Sequence, residues 1–170
     1  MAFSKKLTLR QTVLFGMLGA LTFAAKVALA ALPNIEPVSL FVMLFAVTFG
    51  LKCIYPIAIY VILEWLYLGL SLYSIPYLYV WGILALASWC LRFVQIPLAW
   101  AILSGAFGLF FGFLCSLVYL FVGGLEAMLA IWVSGISFDL LHCAGNFVIA
   151  LVLFAPLHKV LTKLYLNIQK

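Results

Sequence analysis

Charged side chains are scarce in this 170-residue chain: 8% of the residues are charged, and only four of them are acids. Hydrophobic residues make up 69% of the chain, and its mean hydropathy is +1.33. A water-soluble domain of this size could not bury that much apolar surface. The composition therefore excludes a soluble protein and predicts a single-domain, all-α integral membrane protein.

Motifs for several kinds of chemistry are also missing. There is no G-x-x-x-x-G-K-[ST] loop, so the chain cannot itself hydrolyse ATP by that route. The four cysteines form no C-x-x-C pair, which favours buried free thiols. A metal site at Asp139, His142 and Cys143 lacks a second ligand cluster, and a protease dyad of Ser104 with His142 lacks a glycine two residues before the serine. We therefore expect no catalytic residue, no metal and no cofactor.

Apolar runs divide the chain into six predicted membrane spans. The second is short, because its 16 residues reach only ~24 Å against a hydrocarbon core of ~30 Å. Between the last two spans we expect Gly123, Gly124 and Glu126 to open a loop, followed by a short interfacial helix over 127–133 that Ser134 and Gly135 end. Pro156 is expected to start a final amphipathic segment. The spans are roughly 9–32, 35–50, 52–70, 76–91, 97–121 and 137–155.

Charges sort to the two sides of this six-span arrangement. Glu36 and Glu126 fall on one side, and eight of the nine basic residues fall on the other, together with both termini. By the positive-inside rule the termini are cytoplasmic, and the basic residues are topology signals, so we expect no nucleic-acid partner. The exception is Lys26, which lies within the first span and could snorkel outward, line a cavity or pair with Glu64 in the third. Glu64 could instead accept a hydrogen bond from a substrate.

The last span carries the most polar face within the predicted membrane. Asp139, His142 and Asn146 recur at i, i+3 and i+7 and so share one helix face. Such a face is expected to point into a protein interior or a wet cavity, where it would contact a ligand. The alternative is structural: Ser137 caps the helix, Asp139 lies in its first turn, and the other two side chains bond a neighbouring helix.

Aromatic residues cluster around the connection between the third and fourth spans. Trp and Tyr mark membrane interfaces in general, so the cluster is compatible with an interfacial belt. Its density around one external loop also favours a stacking lid for an organic ligand. The cluster comprises Trp65, Tyr67, Tyr73, Tyr77, Tyr79 and Trp81.

Small residues recur every four positions on two of the spans. In a membrane, small side chains on one helix face let another backbone approach closely. We interpret the first set as a docking surface for a partner and the second as packing within the bundle. The first set, here named the α1 stripe, is Gly16, Ala20, Ala24 and Ala28; the second is Ser104, Gly108, Gly112 and Ser116.

Two sequence blocks, 32–39 (LPNIEPVS) and 138–146 (FDLLHCAGN), join these features in a resemblance that covers nearly the whole chain. With six short spans, a basic N-terminus and the A-x-x-x-A motif at Ala20 and Ala24, the chain resembles the substrate-binding S components of energy-coupling factor (ECF) transporters. The resemblance implies vitamin uptake across a bacterial cell membrane. In that family the S component captures a micronutrient outside and docks on a transmembrane T subunit that carries two ATPases.

The resemblance also implies an outward pocket and a contact between the α1 stripe and the T subunit. It is nearest to the cobalamin-type S components of lactic acid bacteria. Pyridoxine, pantothenate and a queuosine precursor remain alternative ligands, and a ligand-free structural membrane protein is the rival from another class. The implied pocket residues are Glu36, Tyr73, Tyr77, Trp81, Asp139, His142 and Asn146.

Overall fold

The computed structural model describes residues 6–31 and 36–169, and all regular structure within these ranges is helical. Two 3-10 turns, Gly50–Cys53 and Leu117–Tyr119, join α2 to α3 and α5 to α6. The predicted all-α class is therefore confirmed for the part of the chain that is described. The α-helices are α1 (Leu9–Ala28), α2 (Val38–Phe49), α3 (Ile54–Leu68), α4 (Tyr77–Cys90), α5 (Pro97–Ser116) and α6 (Leu120–Gln169).

Three stretches of the described residues are long and apolar enough to cross a membrane. They are Leu9–Ala28, Val38–Leu68 and Pro97–Gln169, with mean hydropathies of 1.4, 2.0 and 2.1 over an 18-residue window in each. Helix α4 is also apolar but shorter. These stretches indicate a membrane protein. Residues 32–35 lie outside the described residues; they belong to the first block of the resemblance and include the end of the first predicted span and the start of the second.

Helix α2 lies at the centre of the bundle. Nine of its 12 residues are buried, and it packs against α4 and α6. At ~1.5 Å per residue it is only ~18 Å long, shorter than a membrane core. Because the helix is enclosed by other helices, its sequence is apolar on every side.

Glycines set the closest helix contacts. A Cβ on Gly19 would lie 2.8 Å from the Pro56 carbonyl oxygen, so α1 and α3 touch through their backbones. A Cβ on Gly108 would lie 2.8 Å from the His142 carbonyl oxygen, and one on Gly105 would lie 3.2 Å from Phe147 Cβ. The predicted packing role of the second small-residue set is therefore confirmed at Gly108, where α5 meets α6.

The predicted helix breaks in the last third of the chain are confirmed at one place and wrong at two. The backbone is non-helical at Gly123 and Gly124, where the sequence predicts that a loop opens, whereas helix α6 runs through Ser134, Gly135 and Pro156. The Ser134 hydroxyl donates to the Ile131 carbonyl at 2.8 Å, which a helix accommodates. Gly124 has φ +71°, a conformation that side chains oppose, so the paired glycines reverse the chain between α5 and the rest of α6.

Candidate functional site

A cavity of about 440 Å³ opens at one end of the bundle. It lies between the start of α4, the C-terminal half of α5 and the middle of α6. The basic residues lie away from it: Lys52 is in the 3-10 turn before α3 and bonds Gln11 in the first turn of α1, and Arg92 and Lys159 line a separate cavity beside the start of α5. The lining residues are Glu36, Tyr73, Tyr77, Phe111, Gly112, Cys115, Tyr119, Ile131, Ser134, Gly135, Phe138, Asp139 and His142.

The Asp139 carboxylate is held against the backbone of α5. Its Oδ1 accepts a hydrogen bond of 2.9 Å from the Gly112 backbone N–H. A Cβ at position 112 would come within 2.8 Å of Asp139 Cγ, so only glycine leaves room for the carboxylate there. Asp139 is 5% exposed, and among the described residues its Oδ2 has no hydrogen-bond partner. One carboxylate oxygen is thus fixed and the other is left for a group that enters the cavity.

The His142 imidazole lies next to Asp139 on the same face of α6. It packs edge-on against Phe111 with ring centroids 4.9 Å apart. The residue is 4% exposed, and its Nε2 finds no hydrogen-bond partner within 6–31 and 36–169. An unpaired buried ring nitrogen is costly, and a ligand that bonds it would remove that cost.

Lys26 forms the wall behind the cavity together with two acids. Its ammonium pairs with Glu64, as the sequence predicted, and lies 3.8 Å from the Glu36 carboxylate. It also donates to the Tyr77 hydroxyl at 3.5 Å. Glu64 is 1% exposed, so its carboxylate depends on this pairing. Lys26 therefore links α1 to two side chains that line the cavity, Glu36 and Tyr77.

The Glu36 carboxyl has a pKa above the ordinary value for a glutamate. Burial raises its pKa above the ordinary value, the nearby Lys26 ammonium lowers it, and the Glu64 carboxylate raises it again, with a raised pKa as the net result. The carboxyl therefore binds a proton more readily than a solvent-exposed glutamate does.

Five of the seven predicted pocket residues line the cavity: Glu36, Tyr73, Tyr77, Asp139 and His142. The other two lie elsewhere in the fold. Trp81 is buried behind the cavity, with its ring centroid 5.7 Å from that of Tyr77. Asn146 lies deeper in the bundle, where its amide donates to the Ser39 hydroxyl at 3.0 Å and joins α6 to α2.

The structural alternative for the polar face is wrong in part. Ser137 does not cap a helix and Asp139 is not in a first turn, because both lie inside α6. The alternative holds for Asn146, which bonds Ser39 on a neighbouring helix. The i, i+3, i+7 pattern thus contains two cavity residues and one cross-link between helices.

The aromatic cluster divides in the same way. Tyr73 and Tyr77 line the cavity, whereas Trp65 donates its indole N–H to the Ser74 carbonyl at 3.1 Å. The Tyr79 hydroxyl donates to the Leu114 carbonyl at 2.6 Å and so ties α4 to α5. Members of the aromatic cluster therefore line the cavity, bond the loop before α4 or join two helices of the bundle.

Several lining residues were not predicted. Phe111, Cys115 and Tyr119 follow one another at four-residue spacing, a pattern that resembles an ordinary apolar helix face. The one sequence feature that sets this helix face apart is the neighbouring Gly112, whose missing side chain lets Asp139 approach α5. Ser134 and Gly135 also line the cavity, although the sequence suggested a helix break there.

The α1 stripe faces away from the rest of the chain. Ala20, Ala24 and Ala28 are exposed, and a Cβ on Gly16 would meet no described atom within 4 Å. Gly19, by contrast, lies on the side of α1 that packs against α3. The two faces of α1 are thus distinct: one serves the bundle and the other is free of it.

Catalytic and metal arrangements find little support in the geometry. The Ser104 hydroxyl and His142 Nε2 each have no hydrogen-bond partner among the described residues, so they do not form a dyad. Within the same residues no group of three or more His, Cys, Asp or Glu side chains could hold a metal ion. What the cavity offers is recognition through carboxylates, an imidazole and aromatic rings.

Comparisons of the chain with protein-family models, with curated proteins and with solved structures found no match.

Proposed function

We propose that the protein is the substrate-binding S component of an ECF-type transporter, which captures a vitamin outside a bacterial cell. The observation that carries the proposal is the cavity, whose lining includes two buried polar groups without a hydrogen-bond partner in the described residues, Asp139 Oδ2 and His142 Nε2. Other buried groups, such as the Ser104 hydroxyl, also lack a described partner, but these two lie on a cavity wall, where a ligand can bond them. A ligand-binding site accounts for this arrangement.

The proposal includes six spans in the bacterial plasma membrane with both termini in the cytoplasm. Its support is the distribution of charge along the bundle. Lys52, Arg92 and Lys159 lie at one end and the cavity lies at the other, so the positive-inside rule directs the cavity outward. An outward cavity is what a subunit that captures a solute from outside requires.

The proposed partners are a transmembrane T subunit and two ATPases, which would supply the ATP hydrolysis; the chain itself is not an enzyme in this proposal. The free face of α1 supports this assembly, because its small residues are available to another helix. In the family that the sequence resembles, this stripe is the docking surface.

Cobalamin is the first ligand to test, since the resemblance is nearest to cobalamin-type S components. A cavity of about 440 Å³ is within the range that encloses drug-sized ligands. A corrinoid is larger than that, so most of it would protrude through the cavity mouth.

The test is binding of a vitamin panel to the purified protein, together with growth rescue of a host that lacks its own uptake route. The panel contains cobalamin, pyridoxine, pantothenate and a queuosine precursor. Micromolar or tighter binding of one member, with matching growth rescue when the partner subunits are present, is expected. If no member binds and none rescues growth, the protein is a structural membrane protein and the proposal fails.

A further inference from the structure

The charge around the cavity is unbalanced. Two carboxylates line it, Glu36 and Asp139, and Glu64 lies directly behind. The lining that the structure describes contains no Lys or Arg, and the one nearby cation, Lys26, is already shared between Glu64 and Glu36. No basic side chain is left to neutralise Asp139.

The Asp139 carboxylate is fixed in the cavity wall by its contact with α5. The Gly112 N–H donates to Asp139 Oδ1 at 2.9 Å. The Asp139 carboxylate lies so close to α5 that a Cβ on Gly112 would collide with it. The remaining oxygen, Oδ2, is buried and unpartnered within the described structure. A carboxylate in this state is stabilised most by a ligand group that brings both a positive charge and an N–H donor.

Aromatic side chains form a large part of the remaining wall. Tyr73, Tyr77, Phe111 and Phe138 line the same cavity as Asp139. Aromatic faces attract cations and stack on flat rings, whereas they repel an anionic group placed over them. Next to Asp139, His142 Nε2 provides a further polar contact for a ring nitrogen or hydroxyl.

We infer that the cavity binds a planar nitrogen heterocycle that carries a protonated amine, with the amine on Asp139 and the ring among the aromatic side chains. The inference rests on the proposed function and narrows its ligand class. It excludes ligands whose buried part is a carboxylate or a phosphate, because these would face Asp139 and Glu36 without a partner cation.

Matched probes that share a ring and differ in charge test the inference. Pyridoxamine is compared with 4-pyridoxic acid, and tryptamine with indole-3-acetate, by calorimetry on the full chain in lipid nanodiscs. Each amine is expected to bind about tenfold or more tightly than its carboxylate counterpart, because only the amine forms a charge-assisted bond. This comparison uses the unaltered protein and does not depend on any variant.

Asp139→Asn then identifies the group responsible. Asparagine keeps an oxygen for the Gly112 N–H but removes the charge, so amine binding is expected to fall by about tenfold while the preference over carboxylates disappears. Glu126→Gln is the matched control: it removes an exposed acid that does not line the cavity, and amine binding is expected to stay unchanged.

Three results would overturn the inference: equal binding of both members of a pair, preference for the carboxylates, or no binding of any probe. Tight binding of cobalamin that Asp139→Asn leaves unchanged would also overturn it, yet the proposed function would stand. Absence of any binding in the vitamin panel, combined with failed growth rescue, is instead the failure of the proposed function.

Discussion

At the scale of single residues, the ion pair between Lys26 and Glu64 has the largest energetic consequences. Both groups lie in apolar helices, and Glu64 is 1% exposed. A charge buried without a partner costs several kcal/mol, so neither residue is tolerable there alone. The pair holds α1 against α3 at the end of the bundle that contains the cavity.

A double-mutant cycle tests this dependence. Lys26→Met is expected to destabilise the fold by about 3–5 kcal/mol, because it leaves the Glu64 carboxylate without its cation. The double variant Lys26→Met with Glu64→Gln is expected to be more stable than Lys26→Met, since the buried Glu64 charge is then removed together with its cation. Thermal unfolding in detergent measures both. A double variant less stable than either single variant would contradict the expected coupling.

Which polar residues line the cavity could be predicted only partly from the sequence. In a chain with so few polar side chains, Asp139 and His142 stand out, and their spacing assigns them to one face. The same reasoning includes Asn146, whose partner Ser39 lies 107 residues away in the chain. Helical spacing gives the face of a residue but neither its depth in the bundle nor its partner on another helix.

At the scale of helices, one face of α1 packs against α3 and the other, the α1 stripe, is exposed among the described residues. Substitutions in the α1 stripe test whether a partner docks there. Ala24→Leu and Ala20→Leu are expected to abolish uptake by blocking close approach of a partner helix, while ligand binding by the isolated protein stays intact. Radiolabelled vitamin uptake and calorimetric binding measure the two effects separately.

Ala106→Leu is the matched control for the α1 variants. It makes the same substitution at an exposed position of another helix, α5, and uptake is expected to remain at the level of the unaltered protein. If uptake survives both α1 variants, the stripe is not a docking surface.

The last third of the chain shows why helix ends were harder to predict than helices. The sequence suggested breaks at both Gly123–Gly124 and Ser134–Gly135, and only the first is present. One glycine inside a helix costs only about 1 kcal/mol, which packing against α5 overcomes. Two adjacent glycines, one of them with φ +71°, give the chain a turn that a helix cannot continue through.

Substitution at the reversal is expected to be costly. Gly124→Ala places a side chain at φ +71° and ψ −169°, a region nearly restricted to glycine, with an expected loss of about 1–3 kcal/mol. Gly82→Ala in α4 is the control, because a Cβ there meets no described atom within 4 Å and alanine favours the helix. Melting temperatures should fall for the first variant and stay level or rise for the second. If Gly124→Ala melted at the same temperature as the unaltered protein, a side chain at position 124 would cause no strain and the prediction would be wrong.

At the scale of the whole molecule, the proposed topology directs the cavity outward. In a background with the four native cysteines replaced by serine, Glu126→Cys should react with a membrane-impermeant maleimide in intact cells. Lys163→Cys should react only after the cells are permeabilised, because a span separates the two positions and basic residues stay inside. Both positions are exposed, so accessibility within the fold does not limit the reaction. Labelling of both from the same side would contradict the proposed arrangement.

The link between Lys26 and Glu64 also has a consequence for biogenesis. The two residues are 38 positions apart in the chain, so the ammonium is synthesised before its carboxylate partner. The first apolar stretch is also the least hydrophobic of the three, with a mean hydropathy of 1.4 in its 18-residue window. An α1 that entered lipid ahead of α3 would carry the Lys26 charge without its partner, so the pairing favours insertion of the two helices together.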